Sequence, residues 1–191
     1  MLKRRAAVFV SGGGTNLQAL LDADMPHAEI ALVIARKEVY ALERAKVAGV
    51  PTMIIDGKRA AFEAGALAAL HAHRIDVIVL AGFLTILSEN FIAYYAERIL
   101  NIHPALLPAF GGQGFYGLKV HEAALARGVK ITGATVHLVD ATPDGGPILA
   151  QKAVAVLPGD TPETLQRRVM EQAEWLLLPQ TLEQFCKEMN A

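Results

Sequence analysis

The chain has 191 residues, is 53% hydrophobic and carries a formal charge of −1, enough apolar material for one well-buried domain. Its Lys and Arg are scattered, with one small cluster at Lys3-Arg4-Arg5, so nothing resembles a nucleic-acid footprint. A single cysteine, Cys186, excludes an intramolecular disulfide and argues against structural zinc; no apolar run approaches the ~18 residues of a membrane span.

The first ten residues pass from the basic triplet straight into an apolar run, without the layout of a signal peptide, so the cytoplasm is the expected location. Apolar β-runs at 6–10, 30–35, 51–55, 77–81 and 99–102 alternate with helical stretches that start at 16–21 and cover 40–48, 58–73 and 89–97. Gly12-Gly13-Gly14 breaks the first run, Gly49 closes the second helix and Gly82 the fourth strand. Continuous Val/Ile/Leu strands between helices predict a Rossmann-like α/β fold, a mostly parallel sheet with helices on both faces.

The second half reads differently. A Gly-rich stretch at 111–117 and a short helix near 121–126 precede two β-runs, 131–139 and 148–156, separated by the loop 140–147. These predict an antiparallel strand pair extending the sheet. A long C-terminal helix starts near Thr161, an N-cap followed by Pro162 at the first helical position. Pro179 is expected to kink or break it. No repeat or linker divides the chain, so 1–191 reads as one domain.

Three segments carry candidate chemistry. Ser11-Gly12-Gly13-Gly14-Thr15-Asn16-Leu17 is a glycine-rich turn between the first strand and the first helix. Its backbone can approach a ligand closely, and the helix start offers free amides to an anion. Leu17 stands where a dinucleotide fingerprint needs glycine, and there is no Gly-Lys-Ser/Thr, so a phosphate monoester is favoured over NAD or ATP. The alternative is a tight turn with no ligand. Ala81-Gly82-Phe83-Leu84-Thr85-Ile86-Leu87 lies at the carboxyl end of the fourth strand, where open α/β sheets bind ligands; taken alone, core packing is the favoured reading.

The third segment is a set. Asn101 and His103 leave the fifth strand in Asn101-Ile102-His103-Pro104, and Asp144 opens Asp144-Gly145-Gly146-Pro147. Asparagine can donate to a developing oxyanion, histidine can exchange a proton near neutral pH, and a carboxylate beside it favours its charged form. That combination suits acyl transfer without a covalent nucleophile. His27, His71, His73 and His121 read as structural. His137 reads as a core histidine or a neighbour of the catalytic set.

Taken in order and spacing, the Gly loop, Ala81-Gly82-Phe83 with Ile86-Leu87-Ser88, Asn101-Ile102-His103-Pro104 through Leu106-Leu107-Pro108, Thr135-Val136-His137 and Asp144-Gly145-Gly146-Pro147 resemble the folate-dependent phosphoribosylglycinamide formyltransferases. The resemblance covers nearly the whole chain. It implies a phosphate-binding half, 1–100, and a catalytic and folate-binding half, 101–191. It also implies two small-molecule substrates, 10-formyltetrahydrofolate and glycinamide ribonucleotide, no metal, no nucleic acid or membrane partner, and a monomer or homodimer. Gly14, Thr15 and Asn16 would hold the 5′-phosphate, and Glu174, with Glu171 as a substitute, the ribose hydroxyls. Leu84, Thr85, Ile86 and Leu87 with Asp140, Ala141, Thr142, Pro143 and Asp144 would line the pterin pocket, and Arg59 would lie near the folate, with Lys58 beside it as an alternative.

In the reaction so implied, protonated His103 and Asn101 stabilise the tetrahedral oxyanion, and Asp144 raises the pKa of His103 above ~6.5. The chain departs from the pattern after Pro108: its Gly111–Gly117 segment has four glycines and is expected to form a mobile flap. A formyltetrahydrofolate hydrolase and a non-catalytic folate or nucleotide sensor are the rival expectations. A methionyl-tRNA formyltransferase is disfavoured, since no basic C-terminal extension is present.

Overall fold

The computed structural model describes residues 3–190; Met1 and Leu2, part of the signal-peptide reading, lie outside them. Seven strands form one sheet in the order β3-β2-β1-β4-β5-β6-β7. They are β1 (Arg4–Val10), β2 (Ala28–Ala35), β3 (Thr52–Ile54), β4 (Val77–Leu80), β5 (Ile99–His103), β6 (Ile131–Leu138) and β7 (Ile148–Ala155). The first five are mutually parallel, and β6 runs antiparallel to both β5 and β7. The helices are α1 (Thr15–Asp22), α2 (Tyr40–Val47), α3 (Arg59–Ala72), α4 (Glu89–Tyr94), α5 (Leu118–Arg127), α6 (Pro162–Val169) and α7 (Trp175–Glu188), with a π turn at Met170–Glu174 joining the last two. No helix among the described residues is long and apolar enough to cross a membrane.

Side chains alternate across a strand, and in the central strands both faces are apolar because both are covered. Ala6, Val8 and Val10 of β1 join Val77 and Val79 of β4 and Leu100 and Ile102 of β5 in one core cluster. Ala7, Phe9, Ile78, Leu80 and Ile99 form the other, against Phe62, Phe83 and Phe91. Phe9 meets Phe83 edge-on at 5.3 Å. This fixes the site's position. On β5 the even residues join the apolar core, whereas after Ile99 the odd residues, Asn101 and His103, are polar and share the opposite face toward the carboxyl end, His103 still buried.

The expected break at Pro179 does not occur: α7 runs through it. Proline removes one helix hydrogen bond and crowds the carbonyl four residues back, here that of Trp175. The π turn ends one turn ahead of the proline, with Trp175 at ψ −15°, shallower than the ordinary helical −42°, and π turns are a common way for a helix to absorb such a local irregularity. At the other end, Thr161 and Thr164 form a reciprocal capping box, with Pro162 in the first turn.

Candidate active site

Strand pairing assembles the catalytic end. Asn101 and His103 share a face of β5, and the antiparallel register sets His137 opposite Asn101 and Thr135 opposite His103. The loop after β6 then returns Asp144 over this quartet. Gly146 permits that return, because a Cβ there would lie 1.9 Å from the Leu138 carbonyl oxygen. Asp144 sits in the left-handed region at φ +55°, which aspartate tolerates better than most residues. Its Oδ2 accepts the Gly112 N–H at 2.8 Å and lies 3.5 Å from His103 Nδ1. Its Oδ1 lies 3.5 Å from both His137 Nε2 and Asn101 Nδ2. The three residues predicted from sequence are thus brought together.

The hydrogen bonds fix the proton positions. His103 Nε2 is 2.8 Å from the Phe110 carbonyl, which can only accept, so Nε2 carries a hydrogen and Nδ1 is the end facing Asp144. His137 Nδ1 is 2.8 Å from the Leu138 carbonyl; it donates, which leaves Nε2 to accept from Asn101 Nδ2 at 3.0 Å. One Asn101 amide hydrogen is therefore committed to His137. The other points at Asp144 across 3.5 Å, too long for a strong bond and easily surrendered to a better acceptor.

The expected rise of the His103 pKa is overturned. Burial pushes it below the ordinary histidine value, and Asp144 and the Phe110 carbonyl, which favour the charged form, do not restore it. Only 4% of His103 is exposed, and a charge there loses its hydration. The resting imidazole is neutral at pH 7. Burial also pushes Asp144 upward, but the contacts with His137 and His103 and the Gly112 N–H together hold it below the usual carboxylate range.

A cleft of about 130 Å³ opens beside these groups, lined by Phe83, Thr85, Ile86, Leu87, Ile92 and Val139 and by residues 140–144. Every residue predicted for the pterin pocket lines it except Leu84, which is exposed and donates its N–H to Ser11 Oγ at 3.1 Å. Ile86, Leu87 and Ala141 continue into a second depression of about 420 Å³ that includes Arg59 but not Lys58. The apolar walls and the polar end at Asn101 and Asp144 fit a flat heterocycle carrying a reactive carbonyl.

Across the switch point between β1 and β4 lies the Gly loop. Gly14 takes φ +73° as it leads into α1, and a Cβ there would come within 2.6 Å of Ala41 Cβ. Asn16 Nδ2 donates to Glu174 Oε2 at 2.6 Å, joining the loop to the π turn. Glu174 is buried, and burial raises its pKa to about 6 against the opposing pull of Asn16. Glu171 is exposed, 3.8 Å from Arg167, so Glu174 is the acid at this end. Among the described residues no cluster of His, Cys, Asp or Glu has the arrangement of a metal site.

Several contributors escape sequence reading. The Phe110 carbonyl is presented from a left-handed residue at φ +54°, and the Gly112 N–H comes from the stretch expected to be a flap. Thr135 Oγ1 donates to the Ala105 carbonyl at 2.6 Å and accepts from Leu107 N–H and Gln151 Nε2, pinning the turn that follows His103. The Thr135-Val136-His137 motif, spaced like Asn101 and His103, is the sequence signal of this cross-strand set, and of the two readings of His137 the structure bears out the neighbour of Asn101 and Asp144. His121 is fully buried with neither ring nitrogen bonded, and burial, with His103 nearby, lowers its pKa to about 4.

The formyl transferase family matches residues 4–182. A phosphoribosylglycinamide formyltransferase of Mycobacterium tuberculosis is 46% identical, over 86% of this chain and 77% of its own. The chloroplastic phosphoribosylglycinamide formyltransferase of Arabidopsis thaliana is 37% identical over 97% of this chain, which spans 66% of that relative's length. The structure of glycinamide ribonucleotide transformylase 1 from Symbiobacterium toebii superposes with a TM-score of 0.90 at 41% identity, covering 97% of this chain and 89% of that one.

Proposed function

Because the chain belongs to the formyl transferase family, we propose that it moves the formyl group of 10-formyltetrahydrofolate to the amine of 5′-phosphoribosylglycinamide, a step of purine biosynthesis. The products are the N-formyl ribonucleotide and tetrahydrofolate. The observation that carries this reading is the 2.6 Å bond between Asn16 and Glu174. It joins a phosphate-type loop and a buried acid into one wall at the carboxyl end of the sheet, where Asn101, His103 and Asp144 also lie. An enzyme using water as acceptor would have no use for that wall.

In this reading residues 1–100 bind phosphate, through the loop amides and side chains of Gly14, Thr15 and Asn16, while 101–191 supply catalysis and much of the folate site. Glu174 takes the ribose hydroxyls. Thr85 to Leu87 and residues 140–144 hold the pterin, with Arg59 toward its anionic tail. The amine nitrogen attacks the formyl carbon and the carbonyl oxygen becomes an oxyanion. Asn101 stabilises it with the amide hydrogen now directed weakly at Asp144.

Neutral His103 is suited to accept the proton that the attacking amine must lose. The imidazolium so formed lies beside the Asp144 carboxylate, which stabilises it at the moment charge appears. His103 then returns the proton to N10 as the C–N10 bond breaks, so the protein ends unchanged. No covalent intermediate is required.

The test follows consumption of 10-formyltetrahydrofolate by the purified protein with and without the ribonucleotide. Turnover that depends on the ribonucleotide and yields its formyl derivative is expected. Equal turnover in its absence would replace the transferase with a hydrolase, and binding of both ligands without turnover would leave a sensor.

A further inference from the structure

The Gly loop rests on α2, and two residues of that helix hold its carbonyls. Ala41 N–H donates to the Gly12 carbonyl at 3.1 Å, and Arg44 Nε donates to the Gly13 carbonyl at 2.8 Å. In a trans peptide the carbonyl and the following N–H point in opposite directions. Drawing these two carbonyls toward α2 therefore turns the N–H groups of Gly13 and Gly14 away from it. Neither has an acceptor among the described residues.

Arg44 is itself rigidly held. Its guanidinium carbon stands 5.0 Å from the centre of the Tyr40 ring. Nη1 donates to Gln18 Oε1 at 3.0 Å, and Gln18 Nε2 donates on to Asp22 Oδ1 at 2.8 Å. No carboxylate pairs directly with Arg44 among the described residues. Arg44 also lines, with Thr15, Gln18, Asp22 and Trp175, a cavity of about 520 Å³. Its guanidinium therefore stands behind the open amides, with Asp22 reached only through Gln18.

We propose that Arg44 is the positioning residue for the substrate's phosphate, holding the Gly13 and Gly14 amides open and supplying the loop's positive charge. This rests on the transferase reading for the identity of the phosphate-bearing substrate, but not for the anion chemistry. A dianion gains more than a neutral group from preoriented N–H donors and a fixed guanidinium. Lysine would keep the charge and lose the fork that grips loop and Gln18 together.

The decisive experiment compares the unmodified chain with R44Q and R44K. Inorganic phosphate affinity is measured by calorimetry, and steady-state kinetics use glycinamide ribonucleotide and its phosphate-free riboside, with melting temperatures confirming folding. R44Q is expected to weaken inorganic phosphate, and to raise KM for the ribonucleotide, by roughly tenfold. Its kcat and its KM for the folate should stay within about twofold, and the riboside, lacking the phosphate, should be affected equally little. R44K should fall between the two. Unaltered phosphate affinity in R44Q, an equal loss with the riboside, a parallel fall in kcat, or no phosphate binding by the unmodified chain would each overturn the assignment. Absence of ribonucleotide turnover in the unmodified chain would defeat the transferase reading, leaving the phosphate titration to decide on Arg44.

Discussion

At the β1 end of the crevice the functional groups are backbone amides of consecutive residues, whereas at the β5 end they are side chains delivered by three separated segments. In the proposed reading the first end recognises an anion, which needs only donors pointing one way, and a glycine loop ahead of a helix supplies them locally. In the same reading the second end moves a proton, which needs unlike groups at set distances. Only strand pairing, with the Asp144 loop folded back over it, can bring Asn101, His103, His137 and Asp144 within 3.0–3.5 Å of their neighbours. One end should fail by losing affinity and the other by losing rate.

The largest effect is expected for His103→Ala. It removes the proton carrier and leaves the Phe110 carbonyl without its donor, and turnover should fall by on the order of 10²–10³. Ribonucleotide KM should change little. A variant within a few-fold of normal kcat would dissolve the division between the two ends.

Asp144→Asn is a cleaner probe, because asparagine also accepts the left-handed backbone and can still accept the Gly112 N–H. Turnover should fall about 10²-fold through loss of the carboxylate beside the forming imidazolium. The pH profile carries the sign. A neutral base works above its pKa, so kcat/KM of the unmodified protein should rise with pH and level off below ~6.5, since burial has lowered His103. Removing Asp144, which favours the charged form, lowers that pKa further, and the acid limb should move to lower pH. Movement to higher pH would contradict the assigned role.

At the other end, Gly14→Ala places a methyl group 2.8 Å from Ala41 Cα in a residue held at φ +73°. The loop must shift, and ribonucleotide KM should rise by about tenfold with kcat and folate KM nearly unchanged. If folate KM rose equally, the loop would be serving the whole crevice and the contrast between the ends would not stand.

This contrast also governs what could be read from the sequence. The alternating strands and helices, the Gly loop and the pairing of Asn101 with His103 are local patterns, and each stands where its residues predict. Helix α7 continues through Pro179 after a π turn one turn earlier, which no local propensity marks. The contributions of the Phe110 carbonyl, the Gly112 N–H and His137 depend on cross-strand register and on a loop folding back. The neutrality of His103 had the opposite sign from expectation because a neighbouring carboxylate is visible in a motif, whereas burial by distant segments is not.

The smallest effect separates recognition from stability at a single residue. Glu174 is charged at neutral pH in a buried position, and its pKa is raised from 4.5 to about 6. A carboxyl bound more tightly to its proton in the folded state contributes stability below about pH 4.5, and that contribution is lost as pH rises through about 6. Replacing it by glutamine, which still accepts from Asn16, removes the buried charge. Glu174→Gln should therefore match the unmodified protein in thermal stability at pH 4.5. At pH 8 it should exceed it by at most on the order of 2 kcal/mol, while binding the ribonucleotide less well. Greater stability with weaker binding would mean that the carboxylate is kept for the ligand at the fold's expense. Equal destabilisation at both pH values would mean that Glu174 chiefly ties the π turn to the loop, making the acid part of the scaffold.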